Sequence, residues 1–242
     1  MSKFELPTET IELPSKGLLY PEDSELAKGT VEMKYMTARE EDILTNQSYI
    51  QKGTVLDKLM KSLIISKINY DELLIGDKNA IMVAARVLGY GKEYKFNYDG
   101  ESQTVDLSLL ENKKIDEDLF KSRTNDFIFK LPHSGNEVTF NFLTHKDEQS
   151  IARELEGLKK INKDASPELT TRLKYLITSV NGERDKKDVR DFIDNYLLAR
   201  DSRALREYVK EIQPDVDLTF FPDGNESGVN IPIGVNFFWP DV

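Results

Sequence analysis

The segment Lys78–Leu88 most constrains the fold, because it is apolar on nearly every side of a helix. Asp77 just before it is a residue type that caps helix N-termini, and Gly89 and Gly91 after it are typical of a helix end. A helix without a polar face must be enclosed by other elements. The sequence therefore predicts a central core helix capped by Asp77. Its lone internal charge, Arg86, indicates a structural ion pair or a snorkelling side chain, with an anion or interface contact as the alternative.

Three stretches of the chain show the two-residue alternation of β-hairpins. In the first, Tyr94, Phe96 and Tyr98 alternate with polar residues and Asp99-Gly100 forms the turn. The other two follow the same plan of an apolar strand, a polar turn and an aromatic return strand. They cover residues 127–142 and 217–239.

The remaining blocks are helical, and their starts are marked by capping residues. Thr37 and Glu40 form a capping-box pattern, Gly53 interrupts the helical stretch that follows, and Thr144 precedes acids suited to a first helical turn. We predict an α+β fold, with a helical core decorated by three β-hairpins and an extended N-terminal arm, in one or two compact domains. The predicted blocks are an extended or β N-terminal arm (1–36), a helical segment (37–92), a β-hairpin segment (93–143), a second helical segment (144–213) and a C-terminal β-hairpin (214–242).

Composition excludes several kinds of chemistry. The 242 residues include no cysteine, which excludes disulfides, thiol nucleophiles and thiolate metal sites. With only His133 and His145, a three-histidine metal site is excluded, and we expect both to be ordinary turn and cap residues. The formal net charge of −10 opposes nucleic-acid binding. We also expect no targeting segment and no membrane-spanning helix, because carboxylates, prolines and glycines interrupt every apolar stretch.

A search for catalytic and cofactor motifs gives negative results. No Walker pattern occurs, and Gly89-Tyr90-Gly91 lies at a predicted helix end, whereas a dinucleotide site needs glycines that open a helix. The turn Asp223–Gly228 matches the first half of a calcium loop, but Gly234 stands where the bidentate glutamate is required. We expect adjacent acids such as Asp147 and Glu148 to cap helices. The sequence therefore predicts no catalytic residue, no metal, no cofactor and no small-molecule substrate.

Apolar side chains are concentrated near the two ends of the chain. Consecutive aromatic residues cannot all point to one face of a strand, so either they are buried on both sides or some of them contact a partner. Six acids and no Lys or Arg lie between Glu211 and Val242, which fits either an acidic docking surface or simple solubility. The candidate partner-binding residues are Leu18, Leu19, Tyr20, Phe237, Phe238 and Trp239.

Four sequence words, spread along the chain, carry a resemblance to a known family. They are ELPSKGLLYP (12–21), GTVEMKYMTAREEDILTNQSYIQKGTVLDKLMKSLI (29–64), LLIGDKNAIMVAARVLGYGKEY (73–94) and IPIGVNFFWP (231–240). Together they resemble the baseplate hub proteins of T-even-type (T-four-like) contractile-tailed bacteriophages. Many family members carry a motif that resembles a zinc knuckle just before the terminal aromatic word. No thiolate stands at the corresponding positions here, so zinc is not carried over.

The resemblance implies a viral late protein without enzyme activity. It implies a structural or assembly component of the tail baseplate hub that acts through protein–protein contacts with hub, tail or tape-measure proteins. One alternative is a tail assembly chaperone that binds hub or tape-measure proteins and is absent from the mature virion. A remote alternative is a metal-dependent hydrolase using clustered carboxylates. We expect the protein in the host cytoplasm during assembly, with the tail baseplate of the virion as a second location, and no nucleic acid or membrane as partner.

Overall fold

The computed structural model describes residues 5–161, 167–222 and 228–238, and it has an α+β fold. The described helices are α1 (Ala38–Leu44), α2 (Gln47–Gln51), α3 (Val55–Leu63), α4 (Ile75–Tyr90), α5 (His145–Ile161), α6 (Glu168–Leu176), α7 (Lys186–Asn195) and α8 (Ala199–Ile212). The described strands are β1 (Thr8–Glu12), β2 (Thr30–Lys34), β3 (Glu93–Tyr98), β4 (Glu101–Asp106), β5 (Phe127–Lys130), β6 (Glu137–Phe140), β7 (Ile177–Val180), β8 (Thr219–Phe220) and β9 (Val229–Asn230). The α+β prediction is confirmed.

The chain divides into two compact units that do not follow the five sequence blocks. Unit 1 comprises Met1–Ile68, Gly76–Lys114 and Pro214–Val242, and unit 2 comprises Asn69–Ile75 and Ile115–Gln213. Unit 1 thus combines the N-terminal block, most of the first helical block, the first hairpin and the C-terminal block. Unit 2 holds the second hairpin and the second helical block.

The N-terminal block of unit 1 packs into the core. Within this block, β1 and β2 form an antiparallel hairpin. Leu13, Leu26, Val31 and Met33 are all buried. The segment predicted as an extended arm therefore supplies core side chains to unit 1.

Helix α4 is the buried helix that the sequence predicts, but it begins at Ile75, three residues before the predicted start at Lys78. The prediction that Asp77 is its N-cap is wrong, because Asp77 lies in the first turn and its carboxylate is held by residues of the N-terminal block. Arg86 is buried and donates to the backbone carbonyl oxygens of Gly91 (3.0 Å) and Glu93 (3.2 Å). These bonds join the end of α4 to the start of β3.

The other local signals of unit 1 appear where the sequence places them. Glu40 accepts hydrogen bonds from both the N–H and the hydroxyl of Thr37, as in a capping box. Gly53 separates α2 from α3 with a positive φ of 65°. Asp99 and Gly100 both have positive φ at the β3–β4 turn, which is the conformation of a tight hairpin turn.

Unit 2 is built on a three-stranded antiparallel sheet in the order β5-β6-β7. The predicted hairpin β5–β6 is confirmed, with Phe127 opposite Phe140. Phe120, Phe140 and Phe142 are among its fully buried side chains. Strand β7 is not predicted by the sequence. It follows α6 directly and pairs with the second edge of β6.

Candidate functional site

Of the six predicted partner-contact residues, four lie in the interior of unit 1. Leu19, Tyr20, Phe237 and Phe238 are at most 4% exposed. Leu18 is partly exposed, and Trp239 lies outside the described residues. The structure therefore favours the core alternative at the four buried positions.

A local conformation explains how two consecutive aromatic residues are both buried. Residues 235–238 form a single 3-10 turn, so their side chains do not alternate between two faces as they would in a strand. The Phe237 ring packs edge-on against Tyr94, with centroids 4.8 Å apart, and against Phe238 at 5.4 Å. Phe237 and Phe238 thus complete the core beside β3.

A buried carboxylate fixes the N-terminal block to α4, and the sequence did not reveal this role. Asp77 accepts hydrogen bonds from the Ser15 N–H (2.9 Å), the Ser15 hydroxyl (2.6 Å) and the Tyr20 hydroxyl (2.5 Å). Burial raises the pKa of Asp77, although the hydrogen bonds from Ser15 and Tyr20 oppose that shift by favouring the carboxylate. The only sequence signal was indirect, since these residues lie in two of the words that carry the family resemblance.

Unit 1 carries a groove of about 550 Å³ between β1 and α4, which we call the α4 groove. Most of its lining is apolar and comes from α4 and the segment after β4. Among the described residues, the charged side chains that line it are those of Glu9 and Glu12, with no Lys or Arg. The full lining is Glu9, Ile11, Glu12, Tyr35, Ala80, Val83, Ala84, Val87, Leu88, Leu107, Ser108, Leu110, Asn112 and Val216.

Strand β1, at one side of this groove, has an open edge. In the described part of the chain it pairs with β2 alone. The N–H of Leu13 donates to Gly29 and the carbonyl oxygen of Pro7 accepts from Tyr35, so the odd-numbered residues of this strand carry the ladder bonds to β2. The N–H and C=O groups of the even-numbered residues between them point away from β2.

A second concave surface lies in unit 2 and has a volume of about 430 Å³. Five cationic side chains line it, but three of them are paired with acids: Lys174 with Asp194 (2.7 Å), Arg184 with Asp126 (3.4 Å) and Arg190 with Glu154 (2.9 Å). Arg190 lowers the pKa of Glu154, against the opposing effect of burial. This surface is therefore mainly an ion-pair network, with much of its positive charge neutralised.

The residues considered for metal or acid–base chemistry have structural contacts. His145 is buried against the edge of Tyr70, with ring centroids 4.6 Å apart. The His133 N–H donates to Asp201. Asp147 accepts from the N–H and hydroxyl of Thr144 at the start of α5. Among residues 5–161, 167–222 and 228–238, no group of three His, Asp or Glu side chains could hold a metal ion.

The calcium-like turn cannot be described in the same way, since residues 223–227 lie outside the described residues. Within the described ranges, no helix is long and apolar enough to cross a membrane. Comparison of the chain with protein families, curated proteins and solved structures gives no match.

Proposed function

We propose that this chain is a structural or assembly component of the baseplate hub of a contractile-tailed phage, and that it acts through protein–protein contacts. The basis of the proposal is the resemblance carried by the four sequence words. The proposed partners are hub, tail or tape-measure proteins, met in the host cytoplasm during assembly.

The main structural support for the proposal is that the four words lie together in the fold. All four belong almost entirely to unit 1, and none falls within residues 115–213. Ser15 and Tyr20 of the first word hydrogen-bond to Asp77 of the third, and Phe237 of the last packs on Tyr94 at the end of the third. Words that are far apart in sequence therefore meet in one core, which supports a shared fold for unit 1 rather than scattered chance similarity.

The arrangement of unit 1 also suits contact chemistry better than catalysis. Its buried carboxylates, Asp77 and Glu40, are fully engaged by hydrogen-bond donors, which leaves them no free geometry for proton transfer to a substrate. Its concave surface, the α4 groove, is mostly apolar with acids on its lining. An apolar groove with a few polar groups is suited to binding part of another protein.

The assembly role and the chaperone alternative make the same contacts and differ in the fate of the chain. Mass spectrometry of purified particles and of purified baseplate intermediates, from the virus that encodes this sequence, separates them. Presence in both supports a hub subunit, and presence in intermediates alone supports the chaperone. Absence from both contradicts the proposal.

A further inference from the structure

The open edge of β1 lacks most of the devices that protect edge strands. Natural edge strands are commonly blunted by Lys, by Pro within the strand, by a bulge or by a covering element. Strand β1 reads TETIE and pairs with β2 without a register shift. The prolines nearest to it, Pro7 and Pro14, lie outside the strand, before and after it. The backbone groups of Thr8, Thr10 and Glu12 that point away from β2 have no hydrogen-bond partner in the described part of the chain.

An occupant of this edge must be extended. A strand added beside β1 satisfies its outward N–H and C=O groups, and its side chains alternate between two faces with a period of two residues. Because β1 also lines the α4 groove, every second side chain of an added strand faces Val83, Ala84 and Val87. Those positions favour apolar residues of moderate size.

The charge of the groove determines which residues suit the remaining positions of the occupant. Glu9 and Glu12 line the groove on the β1 side, none of the described residues that line it is basic, and the chain carries a formal net charge of −10. Glu9 and Glu12 are three residues apart, so their side chains lie on opposite faces of β1. Lys or Arg between the apolar residues of the occupant would complement Glu12, whereas Asp or Glu on either face would be repelled by one of the two carboxylates.

We propose that the open edge of β1 and the α4 groove bind one extended segment of a partner protein, with apolar residues at alternate positions and Lys or Arg between them. The inference deepens the proposed function, since it assigns the contact that a hub component makes to one groove of unit 1. Main-chain hydrogen bonds to β1 supply affinity. The α4 side chains of the groove and the two glutamates supply selectivity for the side chains of the bound segment.

A labelled probe tests this on the full chain. The probe is a fluorescein-labelled ten-residue peptide of alternating Val and Lys, and the comparison peptide alternates Val and Glu. Fluorescence anisotropy titrations are expected to give a Kd for the Val-Lys peptide at least about tenfold lower than for the Val-Glu peptide, since a close charge reversal changes binding by more than one factor of ten.

Two proline variants separate edge binding from general attraction. Thr10→Pro removes an N–H on the open edge of β1 that is not used in the β1–β2 ladder, so the hairpin is retained. Thr104→Pro does the same on β4, where the Leu107 N–H bond to Lys92 shows that Thr104 also points away from its partner strand. Thr10→Pro is expected to raise the Kd for the Val-Lys peptide at least about tenfold, the equivalent of one lost hydrogen bond and a steric clash. Thr104→Pro is expected to leave it unchanged.

A third variant keeps the test informative if Thr10→Pro does not fold. Ala84→Leu fills the floor of the groove with a good helix former and is also expected to weaken binding. Equal binding of the two peptides, or equal effects of Thr10→Pro and Thr104→Pro, overturns the inference. So does a dimer of the chain in light scattering that Thr10→Pro abolishes, because the occupant is then a second copy.

The same variants distinguish failure of this inference from failure of the proposed function. If hub proteins co-purify with the wild-type chain and with Thr10→Pro to the same extent, the hub function stands and the groove assignment falls. If the Val-Lys probe binds as described but no hub, tail or tape-measure protein co-purifies, the groove assignment stands and the hub function falls.

Discussion

Glu40 is the carboxylate whose ionisation contributes most clearly to the stability of unit 1. Its side chain is fully buried and accepts hydrogen bonds from Lys34 (2.8 Å), Ser62 (2.8 Å) and the Thr37 hydroxyl (2.6 Å). Burial alone raises the pKa of this carboxyl, but the donors Lys34, Thr37 and Ser62 outweigh it and lower the pKa from 4.5 to about 2. We predict that Glu40→Gln destabilises the protein at neutral pH.

The magnitude follows from the pKa difference between the folded and unfolded states. Because the folded pKa is the lower one, the ionised Glu40 stabilises the fold above pH 4.5, and this stabilisation is lost as the pH falls towards 2. A shift of this size corresponds to about 3 kcal/mol at pH 7, about 1.5 kcal/mol at pH 3 and less than about 0.5 kcal/mol at pH 2. The loss of stability in Glu40→Gln is therefore expected to shrink as the solution is made acidic.

Urea denaturation followed by circular dichroism at pH 7 and pH 3 measures this difference, at two values well away from the pI of 4.9. Asp42→Asn is the matched control, because Asp42 is an exposed acid on the same helix. It is expected to change the free energy of unfolding by less than about 0.5 kcal/mol at both pH values. A loss in Glu40→Gln that is the same at pH 7 and pH 3, or below about 1 kcal/mol at pH 7, refutes the reasoning.

Two further predictions concern the contacts that hold unit 1 together. Tyr20→Phe removes a donor to Asp77 and is expected to cost about 1–3 kcal/mol of unfolding free energy at pH 7. The raised pKa of Asp77 rises further without that donor, so urea titrations should show a smaller loss at acidic pH, and a loss that grows on acidification contradicts this. Gly76→Ala places a Cβ 1.9 Å from the Pro214 carbonyl oxygen and is expected to lower stability by at least about 2 kcal/mol in thermal unfolding. Gly157→Ala, a helical position with open space around it, is expected to raise stability by about 0.5–1 kcal/mol, and similar effects at the two glycines would be inconsistent with the close approach.

Local signals in the sequence predicted local structure well. The Asp99-Gly100 turn lies where its composition indicates, because a tight hairpin turn needs positive φ at both positions and these residues tolerate it. The capping pattern of Thr37 and Glu40 likewise marks the start of α1, since its hydrogen bonds span only three residues. Structure that is decided within a few residues can be read from the sequence.

Features that depend on distant residues could not be predicted in the same way. Asp77 is of a residue type that is common at helix N-caps. Its actual role as a buried hydrogen-bond acceptor depends on Ser15, which lies 62 positions away in the sequence. Strand β7 has a short ITSV sequence with no turn before it, and it becomes a strand because the edge of β6 is open to it. The sequence does not distinguish whether Phe237 and Phe238 lie in the core or contact a partner. Their burial depends on a 3-10 turn that packs against β3.

The candidate site likewise combines features that are visible locally in the sequence with others that depend on distant residues. Sequence reasoning placed the contact residues at the apolar ends of the chain, where the side chains are conspicuous. The α4 groove was missed because its lining is assembled from β1, α4 and the segment after β4, which are far apart in sequence. A signal was present in the apolar surface of α4, but the sequence cannot show which part of that surface remains uncovered.

Co-expression tests whether this chain takes part in baseplate hub assembly through protein contacts, as we propose. The chain is produced together with each hub, tail and tape-measure protein encoded in the same genome, and the mixtures are analysed by size-exclusion chromatography with light scattering. We predict a complex of defined stoichiometry with at least one of these proteins, and weaker complex formation with Thr10→Pro than with Thr104→Pro. A chain that elutes alone in every mixture contradicts the claim.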